Sequence, residues 1–319
     1  MEKQLNKLIF LVGLVLISCE KEELPVPPHE PGESQFQEVG IGADYGQQLY
    51  FDFETNSVIK SNHKTAWDLA FESASDGNKV ILNSSRGMAV YPSEQSFAEL
   101  NSTEGAAWRW DAHSGNLDST GFGNISPSIT YLVDMGYTPA GDHLGYRKVR
   151  VNDISETHYV IEWNVLSENT PIERVIEKDN SNLFTFLSFA NGVVDIAPPN
   201  EDYDLVFTQY THVFQEPETP YLVTGVLLNR FETKGILWEG NPFEEITLED
   251  VESTVLTDDL NCIGYDWKYF DFESSMYTVD AELTFIVQTQ TGIFYKLRFT
   301  GFYNVDGIKG YPQFEFQML

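Results

Sequence analysis

Cysteine is scarce in this chain of 319 residues: Cys19 and Cys262 are the only two. A disulfide framework is excluded, and Cys262, alone in the body of the chain, reads as a small hydrophobe. Basic residues are scarce as well. Lys and Arg together number 19 against 49 Asp and Glu, for a formal net charge of −30. Binding to nucleic acid rests on Lys and Arg contacts to phosphate, so no nucleic-acid partner is expected. The charge suits solubility and says nothing about fold. No apolar run reaches the about 20 residues that a membrane-spanning helix needs. Catalytic signatures are missing too: there is no His-Glu-x-x-His, no Gly-x-Ser-x-Gly and no phosphate-binding loop. Gly40-Ile41-Gly42-Ala43-Asp44-Tyr45-Gly46 has the wrong third spacing for a dinucleotide loop and reads as a turn. Acids are so common that no glycosidase pair stands out. The chain reads as a binding protein, not an enzyme, with no metal site assigned.

What is present begins at the N-terminus. Lys3 and Lys7 precede an apolar run over 8–17, too short to span a bilayer and suited to a secretory signal. Leu16-Ile17-Ser18-Cys19 resembles the lipobox cut by the bacterial lipoprotein signal peptidase. Residues 1–18 are therefore expected to be removed, leaving acyl chains on Cys19 as the only membrane attachment. Each buried CH₂ contributes roughly 0.8 kcal/mol to such an anchor. Glu20-Lys21-Glu22-Glu23 looks like the signal that sends some Gram-negative lipoproteins to the outer face of the outer membrane. Pro25, Pro27, Pro28 and Pro31 favour an extended spacer over 19–38, and His29 within it reads as incidental. The folded body is expected over 39–319.

A hydrophobic content of 42% and an aromatic content of 14% exclude disorder. About 280 residues are enough for a sizeable core. The body reads as all-β. Runs rich in β-branched and aromatic residues predict strands at 50–53, 79–82, 149–151, 158–165, 221–224, 283–287 and 294–299. In 158–165 the alternation is clear, with His158, Glu162 and Asn164 on one face and Tyr159, Ile161, Trp163 and Val165 on the other. A hairpin through Thr291-Gly292 joins 283–287 to 294–299. One helix is predicted after Asn241-Pro242, over 243–251, with a cap, proline in the first turn and acids behind it. A shorter one is placed near Ser93. The stretch 112–145, rich in Gly, Ser, Asp and Asn, reads as long surface loops.

The chain also echoes itself. Tyr50-Phe51-Asp52-Phe53 and Trp67-Asp68-Leu69-Ala70-Phe71 are matched by Phe186-Leu187-Ser188-Phe189 and Tyr203-Asp204-Leu205-Val206-Phe207, each 136 residues later (50 and 186, 71 and 207). This suggests an internal duplication, with halves at 39–150 and 151–319.

The same motifs carry a family resemblance. Trp67-Asp68-Leu69-Ala70-Phe71, preceded by Tyr50-Phe51-Asp52-Phe53, resembles the opening signature of HmuY-like proteins. Ile263-Gly264-Tyr265-Asp266-Trp267-Lys268, Tyr295-Lys296-Leu297-Arg298-Phe299, Phe302-Tyr303-Asn304 and Gly310-Tyr311-Pro312-Gln313-Phe314-Glu315-Phe316 resemble that family's C-terminal strands. The resemblance implies a multi-stranded antiparallel β fold with long finger-like loops and one or two short helices. It also implies a surface lipoprotein that captures haem, or a related tetrapyrrole, for iron acquisition and passes it to an outer-membrane receptor. Such a protein grips the iron between two axial side chains.

Haem iron accepts His or Met. His212 is the first candidate, because a regular strand through it shares a face with Val206, Tyr210 and Phe214. His113 and His143 fall in the loop-rich stretch, and Met88 and Met135 are further candidates. His158, on the polar face of its strand, is expected to meet solvent. Propionates would need local cations, for which Arg86 and Arg147 are the candidates. A second reading keeps the fold without haem ligation: an adhesion or glycan-binding surface lipoprotein. Its mark would be a flat platform of Trp108 and Trp110, or of Tyr131 and Tyr137.

Overall fold

The computed structural model describes residues 30–127 and 129–319. Cys19, the segment 1–18, His29 and most of the expected spacer lie outside the described residues. Among the described residues no helix is long and apolar enough to cross a membrane.

Among the described residues the strands build four sheets and one small hairpin, with every pairing antiparallel. The first outer sheet runs Lys234–Trp238, Thr284–Gln288, Phe294–Tyr303, Lys309–Met318 and Gln35–Glu38. The first inner sheet runs Glu218–Leu228, Leu205–Gln215, Gln47–Asp52 and Ser57–His63. The second inner sheet runs Val80–Leu82, Leu69–Glu72, Phe184–Ser188 and Gly192–Val194. The second outer sheet runs Ala89–Ser93, Thr130–Asp134, Tyr146–Ile154, His158–Val165 and Ile172–Glu177.

Three apolar layers separate these sheets. Phe51, Phe207, Phe299, Phe314 and Trp267 belong to the layer between the first outer and first inner sheets. Phe71, Tyr131, Tyr159, Ile161 and Trp163 belong to the layer between the second inner and second outer sheets. Tyr50, Trp67, Phe184, Tyr203 and Val206 lie between the two inner sheets. An inner strand is therefore buried on both faces, which is why Leu49, Tyr50 and Phe51 are all buried in succession with no period of two. Each such large side chain contributes roughly 1.5–3 kcal/mol on burial.

The two copies of the echo exchange partners: the first segment of each copy pairs with the second segment of the other. Leu69 lies opposite Leu187 and Ala70 opposite Phe186; Leu205 lies opposite Phe51 and Val206 opposite Tyr50. Each inner sheet thus takes one hairpin from either end of the repeat. The polar contacts repeat as well. Asn83 donates to the carbonyls of Lys64 and Trp67, and Asn229 donates to those of Asn200 and Tyr203. The boundary at 150/151 falls inside the strand Tyr146–Ile154.

Two helix expectations are corrected. The segment 243–251 is not one helix: a 3₁₀ turn at Phe243–Glu245 and a short helix at Leu248–Val251 are separated by an extended Ile246. The cap is Thr247, whose capping box with Asp250 starts a new helix, while the Lys296 ammonium binds the Phe243 and Ile246 carbonyls and ends the first turn. Ser93 closes the strand Ala89–Ser93, and one turn follows at Ser96, whose hydroxyl donates to Glu99. The stretch 112–145 holds the buried strand Thr130–Asp134, a short apolar run hidden in sequence by its Gly- and Ser-rich flanks.

Candidate functional site

The strand Leu205–Gln215 and its partner Glu218–Leu228 run well past the rest of their sheet as a long hairpin. Alternation puts Tyr210, His212 and Phe214 on one face of it. From the other face Thr211 donates to the Ser84 carbonyl at 2.8 Å, which pins the hairpin to the turn Ser84–Arg86.

A loop over 111–121, from the first half of the chain, crosses toward this hairpin. Its base is held by Asp111, whose two carboxylate oxygens accept the Leu82 amide at 2.7 Å and the Gly121 amide at 2.8 Å. Its far side is held by Gly115, at φ +80°, whose carbonyl accepts from the Arg230 guanidinium. Between them the Ser114 carbonyl accepts from the Leu260 amide. A side chain at position 115 would place Cβ 2.4 Å from Leu260 Cγ, so glycine is required there.

This clamped loop presents His113 to His212. The two imidazoles stack with centroids 4.1 Å apart and planes 28° apart. Phe214 and Tyr265 flank His212 edge-on at 4.7 Å and 5.4 Å. The Nδ1 atom of His212 is buried without a hydrogen-bond partner. Burial lowers the pKa of both rings; at His113 the neighbouring His212 lowers it further and Asp259 opposes, and at His212 Asp266 opposes. Both rings are thus held neutral near pH 7, the state in which imidazole ligates a metal. Among the described residues no group of three or more His, Cys, Asp or Glu is placed to hold a bare metal ion. Two imidazoles without further protein ligands suit an iron whose remaining ligands come with it, as in a porphyrin.

The other sequence candidates lie elsewhere. His143 pairs with Asp134 at 2.8 Å and packs against Tyr137 and Tyr146. Met88 and Met135 are buried in the layer under the second outer sheet. Arg86 is buried, paired with Asp68 and donating to the Trp67 and Met135 carbonyls. The Arg147 Nε is buried without a partner, and burial lowers the pKa of its guanidinium, with Asp68 opposing and Arg86 adding to the lowering. His158 bonds Ser155 and Thr157 at its own strand end. Tyr131 is buried, whereas Tyr137 is exposed; Trp108 stacks on Tyr146 at 5.9 Å. Sequence reasoning missed Asp111, Arg230 and Tyr265 as site residues. Tyr265 stood in a quoted motif, but Asp111 and Arg230 matter only through partners distant in sequence.

The all-β chain thus brings two histidines together on the projecting part of a long hairpin. Residues 44–316 match the family model described as HmuY protein, and the chain belongs to the HmuY family. Among solved structures it is similar to apo PinO from Porphyromonas gingivitis, at 9% identity with a TM-score of 0.36 over 90% of this chain and 97% of that one. It is also similar to the apo HmuY analog of Tannerella forsythia, at 11% identity with a TM-score of 0.33 over 91% and 98% of the two chains. No curated protein matches the chain in sequence.

Proposed function

We propose that this protein is a surface-exposed lipoprotein, anchored through Cys19, that captures haem or a related tetrapyrrole for iron acquisition. The observation that carries the reading is the His113–His212 stack with its unpartnered Nδ1. Family membership and the aromatic setting of Tyr210, Phe214 and Tyr265 support it. Rings in contact at 4.1 Å leave no room for a porphyrin between them, so the hairpin and the loop must part for both to ligate one iron. Bound haem would supply an iron accepting axial nitrogen; the chain's part is to hold both imidazoles neutral and screened by aromatic rings. Haemin titration of the chain should give a saturable, low-spin Soret spectrum. It should be lost or converted to high spin in His113→Ala and in His212→Ala. A non-saturating spectrum like that of free haemin would end the reading.

A second reading, glycan binding, is favoured by one feature: Trp108, Tyr146, His143 and Tyr137 form a continuous run of ring contacts at 5.9, 4.9 and 5.2 Å. Retention on immobilised glycans that disappears in Trp108→Ala, with no haemin spectrum, would favour it.

A further inference from the structure

The space between the two inner sheets is not filled. A cavity of about 150 Å³ lies there, lined by Tyr50, Trp67, Phe184, Phe186, Tyr203 and Leu227 among others. Its walls are set by one contact made twice. Tyr50 meets Tyr203 edge-on at 5.1 Å, and Trp67 meets Phe186 edge-on at 5.0 Å, each residue being 136 positions from its counterpart. The gap therefore forms where two equivalent sheets face each other, and rigid rings that already pack edge to face cannot collapse into it. An apolar cavity of about this volume is large enough for a benzene-sized guest.

One end of the cavity is charged. Arg230 borders it and also borders an adjoining hollow of about 320 Å³, which is lined in part by Leu117 and by the exposed Asn180. Arg230 donates to the Gly115 carbonyl and lies 5.5 Å from the Phe184 ring centroid. Among the described residues no carboxylate lies within ion-pair distance of it. Asp111, its nearest electrostatic counterpart, spends its oxygens on the Leu82 and Gly121 amides. Burial lowers the pKa of the Arg230 guanidinium, with Asp111, Tyr203 and Glu72 opposing. Arg230 is half-buried, and its bond to the Gly115 carbonyl leaves most of its five N–H donors free to meet an anion.

We propose that the cavity between the inner sheets is a binding site for a small aromatic carboxylate, its ring among Tyr203, Trp67 and Phe184 and its carboxylate on Arg230. The ring replaces empty space against the aromatic part of a lining that also holds Gln48, Asp111 and His113, and the carboxylate offers the planar, two-point acceptor that a guanidinium matches. The acidity of the chain as a whole gives no general attraction for anions, so selection of the carboxylate falls to Arg230 alone. The proposal uses neither His113 nor His212 as a ligand and does not rest on the haem reading.

The test is calorimetric titration of the chain with sodium benzoate and, separately, with benzyl alcohol, which keeps the ring and drops the charge. Benzoate is expected to bind saturably at one site, and benzyl alcohol about 10- to 100-fold more weakly, the worth of one charge-assisted hydrogen bond. Arg230→Met should remove that preference. Because this variant also releases the Gly115 loop, Leu227→Phe provides a second arm by filling the cavity from the strand Glu218–Leu228. It should abolish benzoate binding while leaving the near-ultraviolet dichroism of the fold in place. No saturable benzoate binding up to about 10 mM, equal affinity for benzyl alcohol, or undiminished binding in folded Leu227→Phe would each overturn the proposal.

Discussion

Asp204 stands in the second inner-strand repeat where Asp68 stands in the first, and it lacks the partner that Asp68 has. Both carboxylates accept an amide across the sheet pairing, Asp68 from Phe189 at 2.7 Å and Asp204 from Phe53 at 2.8 Å. Both residues donate their own amide to the same place in the facing strand, to Leu187 and to Phe51. The remaining oxygen of Asp68 is paired with Arg86, whereas the Oδ1 of Asp204 is buried and unpartnered.

Stability should therefore respond to pH through Asp204. Burial pushes its carboxyl up to about 7, with the Phe53 amide opposing and Asp52 and Glu54 adding to the rise. An unfolded Asp titrates near about 3.9. Between these values the folded chain holds the extra proton, so this group's contribution falls as pH rises from about 4 to about 7. Asp204→Asn keeps an acceptor for Phe53 and removes the charge. It should raise Tm by roughly 2–4 °C at pH 8, about 1 kcal/mol in a large domain, and by little at pH 5. Arg86→Met, by stranding Asp68, should cost roughly 3–5 kcal/mol. A thermal scan at both pH values checks the pair, and an equal Asn effect at pH 5 and pH 8 would sink the account.

The two stacked histidines should titrate low. Burial is the larger cause at each, and His212 adds to it at His113. An unfolded histidine protonates near about 6.5. The unfolded chain then binds more protons below that value, so the stability contributed by this pair is present above about pH 6.5 and is lost as pH falls through it. In His212→Gln the remaining His113 should titrate at higher pH than in the parent chain, read from its ring-proton shifts by NMR. An unchanged or lower value would mean that the rings do not feel each other.

Gly115→Ala should damage the site from outside it. The new methyl group meets Leu260 Cγ at 2.4 Å and Arg230 Nη1 at 3.0 Å on a backbone at φ +80°. Overpacking of this kind costs about 1–3 kcal/mol, measurable as a lower urea midpoint. Haemin affinity should fall with it, because the same loop presents His113. Retained stability and affinity would show that the loop is not clamped at this point.

Cys262 should be inert. Burial, with Asp259 adding, pushes its thiol up to about 12. Thiolate is the reactive form, so labelling by a disulfide reagent at pH 8 should be slow in the folded chain and fast in urea. Rapid labelling without denaturant would place the sulfur in solvent.

Much of the fold was legible because strands of the outer layers keep one wet face. The alternation over 158–165 matches the strand His158–Val165, and the hairpin through Thr291-Gly292 forms as predicted between Thr284–Gln288 and Phe294–Tyr303. The helix over 243–251 was misread because local signals at Asn241-Pro242 compete with a stronger cap at Thr247 and with Lys296, which arrives from a strand about 50 residues later. His113 and His212 could each be named from type and setting. Their contact could not, because 99 residues separate them in the chain.

Sequence alone determined the β class, the family motifs and the 136-residue echo, because alternation and motif order are local properties of a chain. Only the tertiary structure decided that the echoing segments exchange partners, that Asp204 has no arginine, that His113 meets His212 and that Arg230 borders an unfilled cavity. These are outcomes of long-range closure: which strand pairs with which sets where every loop crosses, and no local pattern encodes the residue waiting on the other side.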